Sequence, residues 1–325
     1  MLARVLDYAA RQVKTDATVL MYAPGADPFL REALDGAEEL MYELRVKRGG
    51  DRPSDYELDC RARLDALYGD HKKALQGWES LLGRQGTAKP PIRRQIVWTL
   101  LHRNEGSWAK MRTKDADRCR DLLQENLADQ PGDAASIRLW LQAVRHGSNP
   151  PSLNSLIERV SYWKSNSGSL EAAYYLFVLH SLAALEGSPI SRDDALRALE
   201  ECRGLARFRQ RRTWSYEWVG REQGIRGLVH QTDLGEWAGD FFRNTSSLAR
   251  VKGRVAELNA PQKGRIELEG GLPAFFVPTV AGLQPGRDEN RQVECYVGFS
   301  YDGLRAWQVQ AASATPVPSG SATPS

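Results

Sequence analysis

Apolar and polar positions follow two different periods along this chain of 325 residues. From residue 1 to about residue 210, apolar residues recur every three to four positions, as on one face of an amphipathic helix. From residue 250 to residue 309, apolar and polar residues alternate in short runs interrupted by Gly, Pro and Asp, which is typical of strands. The two periods predict an α+β multidomain chain, with an all-α array followed by an all-β domain.

Capping and breaking residues divide the helical part into short helices. Ser54 and Asp70 are N-cap residues, and Gly49 and Gly83 stand where helices are expected to end. The predicted helices cover residues 28–49, 54–68, 70–83, 90–101, 115–128, 133–146, 152–164, 170–186 and 191–206, after an amphipathic stretch with Leu2, Val5, Leu6, Ala9 and Val13 on one face. Short helices with short connections are typical of a repeat solenoid, and a non-repetitive bundle is the alternative.

One helix pair resembles a tetratricopeptide repeat. Its string, ARLDALYGDHKKALQGWESLL, places Ala62 at the family's close-packed small position. Ala74 lets the second helix approach the first, and Trp78 supplies an aromatic ring that fills the groove between them. Asp65 stands where the family has a further aromatic residue. The resemblance implies a tetratricopeptide-like helical array.

The all-β part is predicted to form a small closed barrel. Five short strands in about sixty residues, with Gly at the corners, favour an OB-type barrel over a sandwich. The last two strands are expected to form a hairpin, because Asp302-Gly303 stands between two alternating runs. A type I′ turn is expected there, with φ > 0 at both Asp302 and Gly303.

Four regions follow from these patterns. They are a helical repeat domain over residues 1–210, a packed linker over 211–249, the barrel over 250–310 and a disordered tail over 311–325. The linker is dense in Gly and Trp, and Trp214, Trp218 and Trp237 are expected to anchor it between helices and barrel. A ligand-binding surface is the alternative for this region. The tail is rich in Pro and Ser, which is typical of disorder.

Composition places the chain among ordinary globular proteins, with 42% hydrophobic and 26% charged residues. A net charge of +3 is too small to indicate nucleic acid by itself. The cysteines Cys60, Cys119, Cys202 and Cys295 form no CxxC pair, so reduced, partly buried thiols and a cytoplasmic location are expected. No run of about 18 apolar residues occurs, so no membrane partner is expected.

No catalytic or cofactor-binding motif stands out. The chain has no GxxxxGK[ST] phosphate loop. The five histidines share no metal-ligand spacing, and each is expected at the surface or at a helix end. The string GFSYDG lacks the spacing of a nucleophile elbow, so Ser300 is expected to be an ordinary strand residue. We therefore expect no enzyme, no metal and no cofactor.

The most distinctive charge feature is the string RGLARFRQRRTW, which contains five arginines and no acid. They are Arg203, Arg207, Arg209, Arg211 and Arg212. Arginines neutralise phosphates, and the rings of Phe208 and Trp214 offer faces on which bases stack. The alternative is a solvated last helical turn, where positive charge suits the helix dipole. In the barrel, Phe275 and Phe276 are candidate stacking residues, and strand alternation allows only one of them in the core.

Two longer strings carry a wider resemblance. GRVAELNAPQKGRIELEGGLPAFFVP, followed by VECYVGFSYDGLRAWQV, is similar to a cold-shock-type OB barrel whose third strand matches residues 275–278. The second strand, RIELE, carries no stacking aromatic residue. The order of helical repeats, the strings WVG, GLVH and LGEW, and a final GFSYDGLRAW resembles the C-terminal region of bacterial STAND-type signalling and defence ATPases. Animal antiviral proteins with a sterile-alpha-motif domain are similar in layout.

In those families the ATPase and any effector nuclease precede the repeats, whereas this sequence begins at the repeats. The resemblance therefore implies a regulatory module without those activities, either on its own or as the tail of a split or truncated gene. We expect a non-catalytic module that binds a protein partner through its helical repeats in a signalling or defence system. The alternative is a single-stranded nucleic-acid-binding protein that uses the arginines and the barrel.

Overall fold

The computed structural model describes residues 14–16, 19–20, 28–49, 53–86 and 89–312. Within these ranges the chain is α+β, with nine helices before a C-terminal β-barrel of five strands. The chain divides into two compact units, Met1–Ala173 and Tyr174–Ser325. The amphipathic stretch predicted over residues 2–13 lies outside the described residues, and so does the predicted tail from residue 313 onward.

The helices begin and end close to their predicted positions. They are α1 (Pro28–Arg48), α2 (Asp55–Leu67), α3 (His71–Leu82), α4 (Lys89–Arg103), α5 (Thr113–Asp129), α6 (Ala134–His146), α7 (Leu153–Ser167), α8 (Leu170–Leu185) and α9 (Pro189–Leu205). Two short antiparallel strands, β1 (Lys14–Asp16) and β2 (Val19–Leu20), precede them. The helical period did not predict these strands, which are too short to show a period of their own.

Side-chain hydrogen bonds fix several helix starts. The Ser54 hydroxyl accepts from the backbone N–H of Glu57 at 3.3 Å, and the Glu57 carboxylate accepts from the Ser54 N–H at 2.6 Å. Asp70 and Asp133 cap α3 and α6 with their carboxylates. Each cap binds an N–H that has no partner inside the helix, which confirms the N-caps predicted at Ser54 and Asp70.

The helices of the first unit pack in chain order. From α1 to α6, each helix packs against the next one along the chain. Three side-chain contacts also join helices two places apart: Arg118 in α5 to Glu79 in α3 (2.5 Å), Arg94 in α4 to Asp133 at the start of α6 (2.8 Å), and Arg159 in α7 to Gln124 in α5 (2.6 Å). The helices of the first unit therefore contact near neighbours in the chain.

Trp78 fills the space between three consecutive helices. Its ring is buried in α3, and the guanidinium of Arg63 in α2 lies 6.0 Å from the ring centroid. Its indole N–H donates to the Thr99 hydroxyl in α4 at 3.3 Å. The two helices approach closely here, since a methyl group at Gly77 would lie 2.9 Å from the Cβ of Ala62. The ring therefore occupies the groove between α2 and α3, as the sequence predicts.

The strands of the second unit are β3 (Glu217–Val219), β4 (Leu228–His230), β5 (Trp237–Ala238), β6 (Phe241–Phe242), β7 (Val251–Ala260), β8 (Lys263–Leu268), β9 (Pro273–Phe276), β10 (Gln292–Ser300) and β11 (Gly303–Ala311). The last five form the barrel in the order β7, β8, β9, β11, β10, and β10 pairs again with β7. Only β9 and β11 run parallel, with Arg305 opposite Phe275. The buried side chains of the barrel include Val255, Ile266, Phe276, Val293 and Leu304.

The predicted linker contains strands of its own. β3 pairs with β10, and β4 pairs with β3, so that both extend the barrel sheet. β5 and β6 form a separate two-stranded hairpin. These strands have two or three residues each, which is too short for alternation to reveal them in the sequence.

Residues of α8 from Tyr174 onward, and all of α9, belong to the second unit with the barrel. The phenol groups of Tyr174 and Tyr175 donate to the buried carboxylate of Glu217 in β3. Burial raises the pKa of Tyr174, so this phenol stays protonated and remains a donor. These hydrogen bonds hold α8 against the sheet that β3 extends.

The β10–β11 turn differs from the predicted one. Ser300 pairs with Gly303, so the central residues are Tyr301 and Asp302. Of these turn residues, Gly303 alone has a positive φ, at 126°. The Ser300 hydroxyl donates to the Gly303 carbonyl at 2.8 Å and accepts from the Asp302 N–H. These hydrogen bonds stabilise a turn that is centred one residue earlier than the predicted turn. A type I′ turn centred on Asp302 and Gly303 was therefore wrong.

We expect Gly264→Ala to destabilise the barrel. Gly264 is buried in β8, and a methyl group there would lie 2.4 Å from an atom of the Phe276 ring. Overpacking of this kind costs about 1–3 kcal/mol of unfolding free energy, which chemical denaturation followed by circular dichroism measures. The control is Gly204→Ala, because nothing lies within 4 Å of that position in α9. Equal denaturation curves for the two variants would contradict the close packing described for β8.

Candidate nucleic-acid interface

The five predicted arginines lie at the end of α9 and just beyond it. We call residues 203–212 the arginine segment. Arg203 is in the last turn of α9, which ends at Leu205, and the other four arginines follow the helix. All five side chains are exposed. Positive charge is favourable at a helix C-terminus, which is a reason for an arginine at position 203. This reason does not apply to the four arginines that follow the helix.

Arg203 attaches the segment to the β10–β11 turn. Its guanidinium donates to the backbone carbonyl of Asp302 from Nε at 2.9 Å and from Nη2 at 2.6 Å. The Arg209 guanidinium lies 4.8 Å from the ring centroid of Tyr301 in the same turn. The Arg207 guanidinium instead lies 4.7 Å from the ring centroid of its neighbour Phe208, which is 85% exposed. The tertiary structure thus brings the arginine segment onto the barrel.

Three arginines surround one carboxylate at this turn. The Asp302 carboxylate lies 3.8 Å from Arg203 Nε, 3.9 Å from Arg212 Nε and 3.9 Å from Arg305 Nη2. We call these four residues the Asp302 cluster. One negative charge against three positive charges leaves a net positive charge at the turn. Sequence reasoning missed Asp302 and Arg305 as members of a site because they meet the arginine segment only in the folded barrel.

The two candidate phenylalanines of β9 have different environments. Phe276 is 2% exposed and packs inside the barrel, so its ring is not accessible to a ligand. Its prediction as a stacking residue was therefore wrong, because alternating side chains of a strand face opposite sides and this one faces the core. Phe275 is part-exposed and lies opposite Arg305 in the parallel β9–β11 pair. The Arg305 guanidinium lies 4.8 Å from the Phe275 ring centroid. Burial lowers the pKa of Arg305, and the nearby Asp302 opposes this shift. Of the two phenylalanines, only Phe275 therefore lies beside an arginine of the Asp302 cluster with its ring part-exposed.

Two arginines on neighbouring strands of the barrel are compensated. On β7 and β8, Arg254 pairs with Glu267 at 2.9 Å, and Arg265 pairs with Glu257. One-to-one pairs of exposed charges leave little net field. Arg287 and Arg291 share the single carboxylate of Asp288, whereas three arginines surround that of Asp302. The Asp302 cluster and the adjoining arginine segment therefore form a concentrated positive surface, which attracts polyanions.

Two tryptophans extend this surface. Trp214 and Trp237 are each 38% exposed, and their ring centroids lie 5.6 Å apart. The sequence predicted both as anchors of the linker. Trp237 lies in β5, which pairs with β6 in a hairpin. Both strands are too short to recognise in the sequence, so only the folded hairpin places the two rings side by side.

Burial shifts the pKa values of three other ionisable groups. Burial raises the pKa of Cys119 and of Cys295 to about 12, and burial lowers the pKa of His102 to about 4. A thiol with such a high pKa holds almost no reactive thiolate at neutral pH. Among the residues that the structure describes, no group of three or more His, Cys, Asp or Glu side chains could hold a metal ion. Nor does any helix in the described ranges have the length and apolar character needed to cross a bilayer.

Comparisons with known proteins assign no family to this chain. No protein-family model, no curated protein and no solved structure matches this chain. The function is therefore inferred from the geometry of the chain itself, above all from the Asp302 cluster.

Proposed function

We propose that the second unit binds single-stranded nucleic acid through the Asp302 cluster, the arginine segment and Phe275. The observation that carries the proposal is the unequal charge of the cluster, in which three guanidinium groups lie 3.8–3.9 Å from one carboxylate. The remaining arginines of the segment add positive charge beside it. A concentrated positive surface attracts polyanions, and phosphates exchange their condensed counterions for the arginines.

The position of the cluster on the barrel supports the proposal. We assign the barrel to the OB type, with β7 to β11 as its strands one to five. Barrels of this type bind oligonucleotides on the face of strands two and three, and with the loops between strands one and two and between strands four and five. Asp302 lies in the turn between β10 and β11, which are strands four and five. Phe275 lies on β9, which is strand three.

Different side chains of this face bind different parts of the strand. The guanidinium groups contact phosphates, which sets affinity without regard to sequence. The part-exposed ring of Phe275 offers a face to a base. Asp302 repels phosphate but orients Arg212 and Arg305, while its backbone carbonyl holds Arg203. The arrangement is thus suited to binding a strand through its phosphates and a base.

We expect the triple charge reversal Arg209→Glu, Arg211→Glu and Arg212→Glu to remove most of the binding. The measurement is the affinity of the full chain for a labelled single-stranded oligonucleotide, by fluorescence anisotropy across a salt series. Binding by the wild-type protein should weaken linearly as salt rises, on logarithmic axes. The variant should lose about two from the magnitude of that slope, since each lost phosphate contact removes about 0.7 for a single strand.

The matched control reverses three exposed lysines of the first unit, Lys72, Lys110 and Lys114. It makes the same change in net charge, so its affinity and salt slope should stay close to those of the wild-type protein. An equal loss in both variants would show that net charge, and not the arginine segment, drives binding. If the wild-type protein binds no strand at low salt, the proposal is wrong.

Asp302→Asn should act in the opposite direction and strengthen binding. The substitution removes the only carboxylate of the Asp302 cluster but keeps its shape and the backbone carbonyl that accepts from Arg203. Removing one negative charge should steepen the salt slope and raise the affinity several-fold at low salt. The same anisotropy titration measures it. Unchanged or weaker binding would contradict a phosphate site at this turn.

We propose as a second candidate that the first unit is a tetratricopeptide-like solenoid that binds a protein partner in a signalling or defence system. The observation that favours it is the packing of each helix on its nearest and next-nearest neighbours, seen in the Arg118–Glu79 and Arg159–Gln124 contacts. Stacked arrays of this kind present extended surfaces for partner proteins.

Cross-linking of the full chain in its native host tests this second candidate. One recurrent protein should be cross-linked to residues of α1 to α7, and mass spectrometry identifies the linked peptides. Cross-links confined to the second unit would contradict a partner site on the helices.

A further inference from the structure

Six aromatic rings pack against one another beside the barrel. They are Trp218 in β3, Trp237 in β5, Phe241 and Phe242 in β6, Tyr296 in β10 and Trp307 in β11. We call them the aromatic cluster. Neighbouring ring centroids lie 4.8–6.0 Å apart. Trp218 and Phe241 are buried, so the cluster is a small core that supports the rings at its edge.

Trp237 lies at the exposed edge of this cluster, and Trp214 packs against it from outside the six rings. Their ring planes are inclined at 39°, and each residue is 38% exposed. The Trp214 N–H donates to the Gln231 side-chain oxygen at 2.9 Å, and the Trp237 N–H donates to the Gly239 carbonyl at 2.9 Å. Both polar atoms are therefore already bonded within the protein. What the pair offers to a ligand is two oriented ring surfaces.

This pair adjoins the phosphate site. Trp214 follows Arg212 by two residues, and the Arg212 guanidinium lies 3.9 Å from the Asp302 carboxylate. Stacking rings next to guanidinium groups are the combination that single-stranded nucleic acid needs, because its bases and its phosphates bind different groups. Charge complementarity at the adjoining Asp302 cluster thus identifies the occupant of the rings as a base of the same strand.

We propose that Trp214 and Trp237 stack unpaired bases of a strand whose phosphates contact the Asp302 cluster, and that this stacking makes the surface select single strands over duplexes. The inference rests on the proposed function. In a duplex the bases are already stacked and paired, so their ring faces are covered and only the phosphates, the sugars and the base edges in the grooves remain accessible. Arginines alone would bind both forms, whereas the ring pair favours the form with free base faces.

The same rings also protect the small core beneath them, and the test must separate that structural role from stacking. A purely structural tryptophan affects all ligands equally, because its loss disturbs the whole surface. A stacking tryptophan affects only those ligands that carry accessible bases. The ligand is therefore varied together with the protein.

The experiment measures the affinity of the full chain for three labelled probes of equal length. They are a single-stranded oligonucleotide, the same backbone with abasic sites in place of bases, and a duplex. The variants are Trp214→Leu, Trp214→Phe and the control Tyr162→Leu, which removes a ring that is 62% exposed in the first unit. Circular dichroism checks that each variant folds.

Trp214→Leu should bind the base-bearing single strand about tenfold more weakly, within the range measured for base–aromatic stacking, and should bind the abasic strand and the duplex as the wild-type protein does. Trp214→Phe keeps a ring and should retain most of the affinity. Tyr162→Leu should change nothing. Equal losses on all three probes, or no loss on the base-bearing strand, would overturn the inference, while binding that depends on the arginines would still support the proposed function.

The wild-type protein alone also tests the inference if Trp214→Leu does not fold. It should bind the base-bearing strand more tightly than the abasic strand. Equal affinities for the two would overturn stacking. Absence of binding to every probe at low salt would overturn the proposed function itself, so the two failures are distinguishable.

Discussion

The second unit depends on β10, because this strand forms hydrogen-bonded pairs with three other strands. One edge pairs with β11. The other edge is shared: residues 292–295 pair with β7 and close the barrel, while residues 298–299 pair with β3. Gly298 permits this arrangement, since a methyl group there would lie 2.5 Å from the Ser215 hydroxyl oxygen. Pairing with β10 thus closes the barrel and also positions the segment over residues 211–249.

The candidate site follows from where that strand ends. The turn after β10 presents the Asp302 carbonyl to Arg203, and these hydrogen bonds draw the arginine segment onto the barrel. The charges at the turn do not cancel, whereas Arg254 on β7 and Arg265 on β8 each pair with one glutamate. Positive charge is therefore concentrated where chain connectivity also places exposed rings. This combination is the basis of the proposal that the surface binds a flexible polyanion with free bases.

Much of the local structure could be predicted because it depends on neighbours in the chain. The Ser54 and Asp70 caps, the groove-filling Trp78 and the strand period of the barrel all involve short-range rules of periodicity and hydrogen bonding. The turn at Asp302 was misplaced by one residue, because the Ser300 hydroxyl stabilises an arrangement that residue preferences do not reveal. Alternation left open which of Phe275 and Phe276 faces the core, since it fixes opposite sides but not which side is inside.

The sequence by itself determined the succession of helices and strands, the arginine segment, and the presence of aromatic residues near it. Tertiary structure decided which of these residues meet. Asp302 lies about a hundred positions after Arg203, as the numbering shows, and long-range strand pairing joins them. Likewise the β5–β6 hairpin, whose strands are too short to show a period, brings Trp237 beside Trp214. Local sequence encodes backbone preference and periodicity, whereas a binding surface depends on contacts between distant segments that form only when the barrel closes.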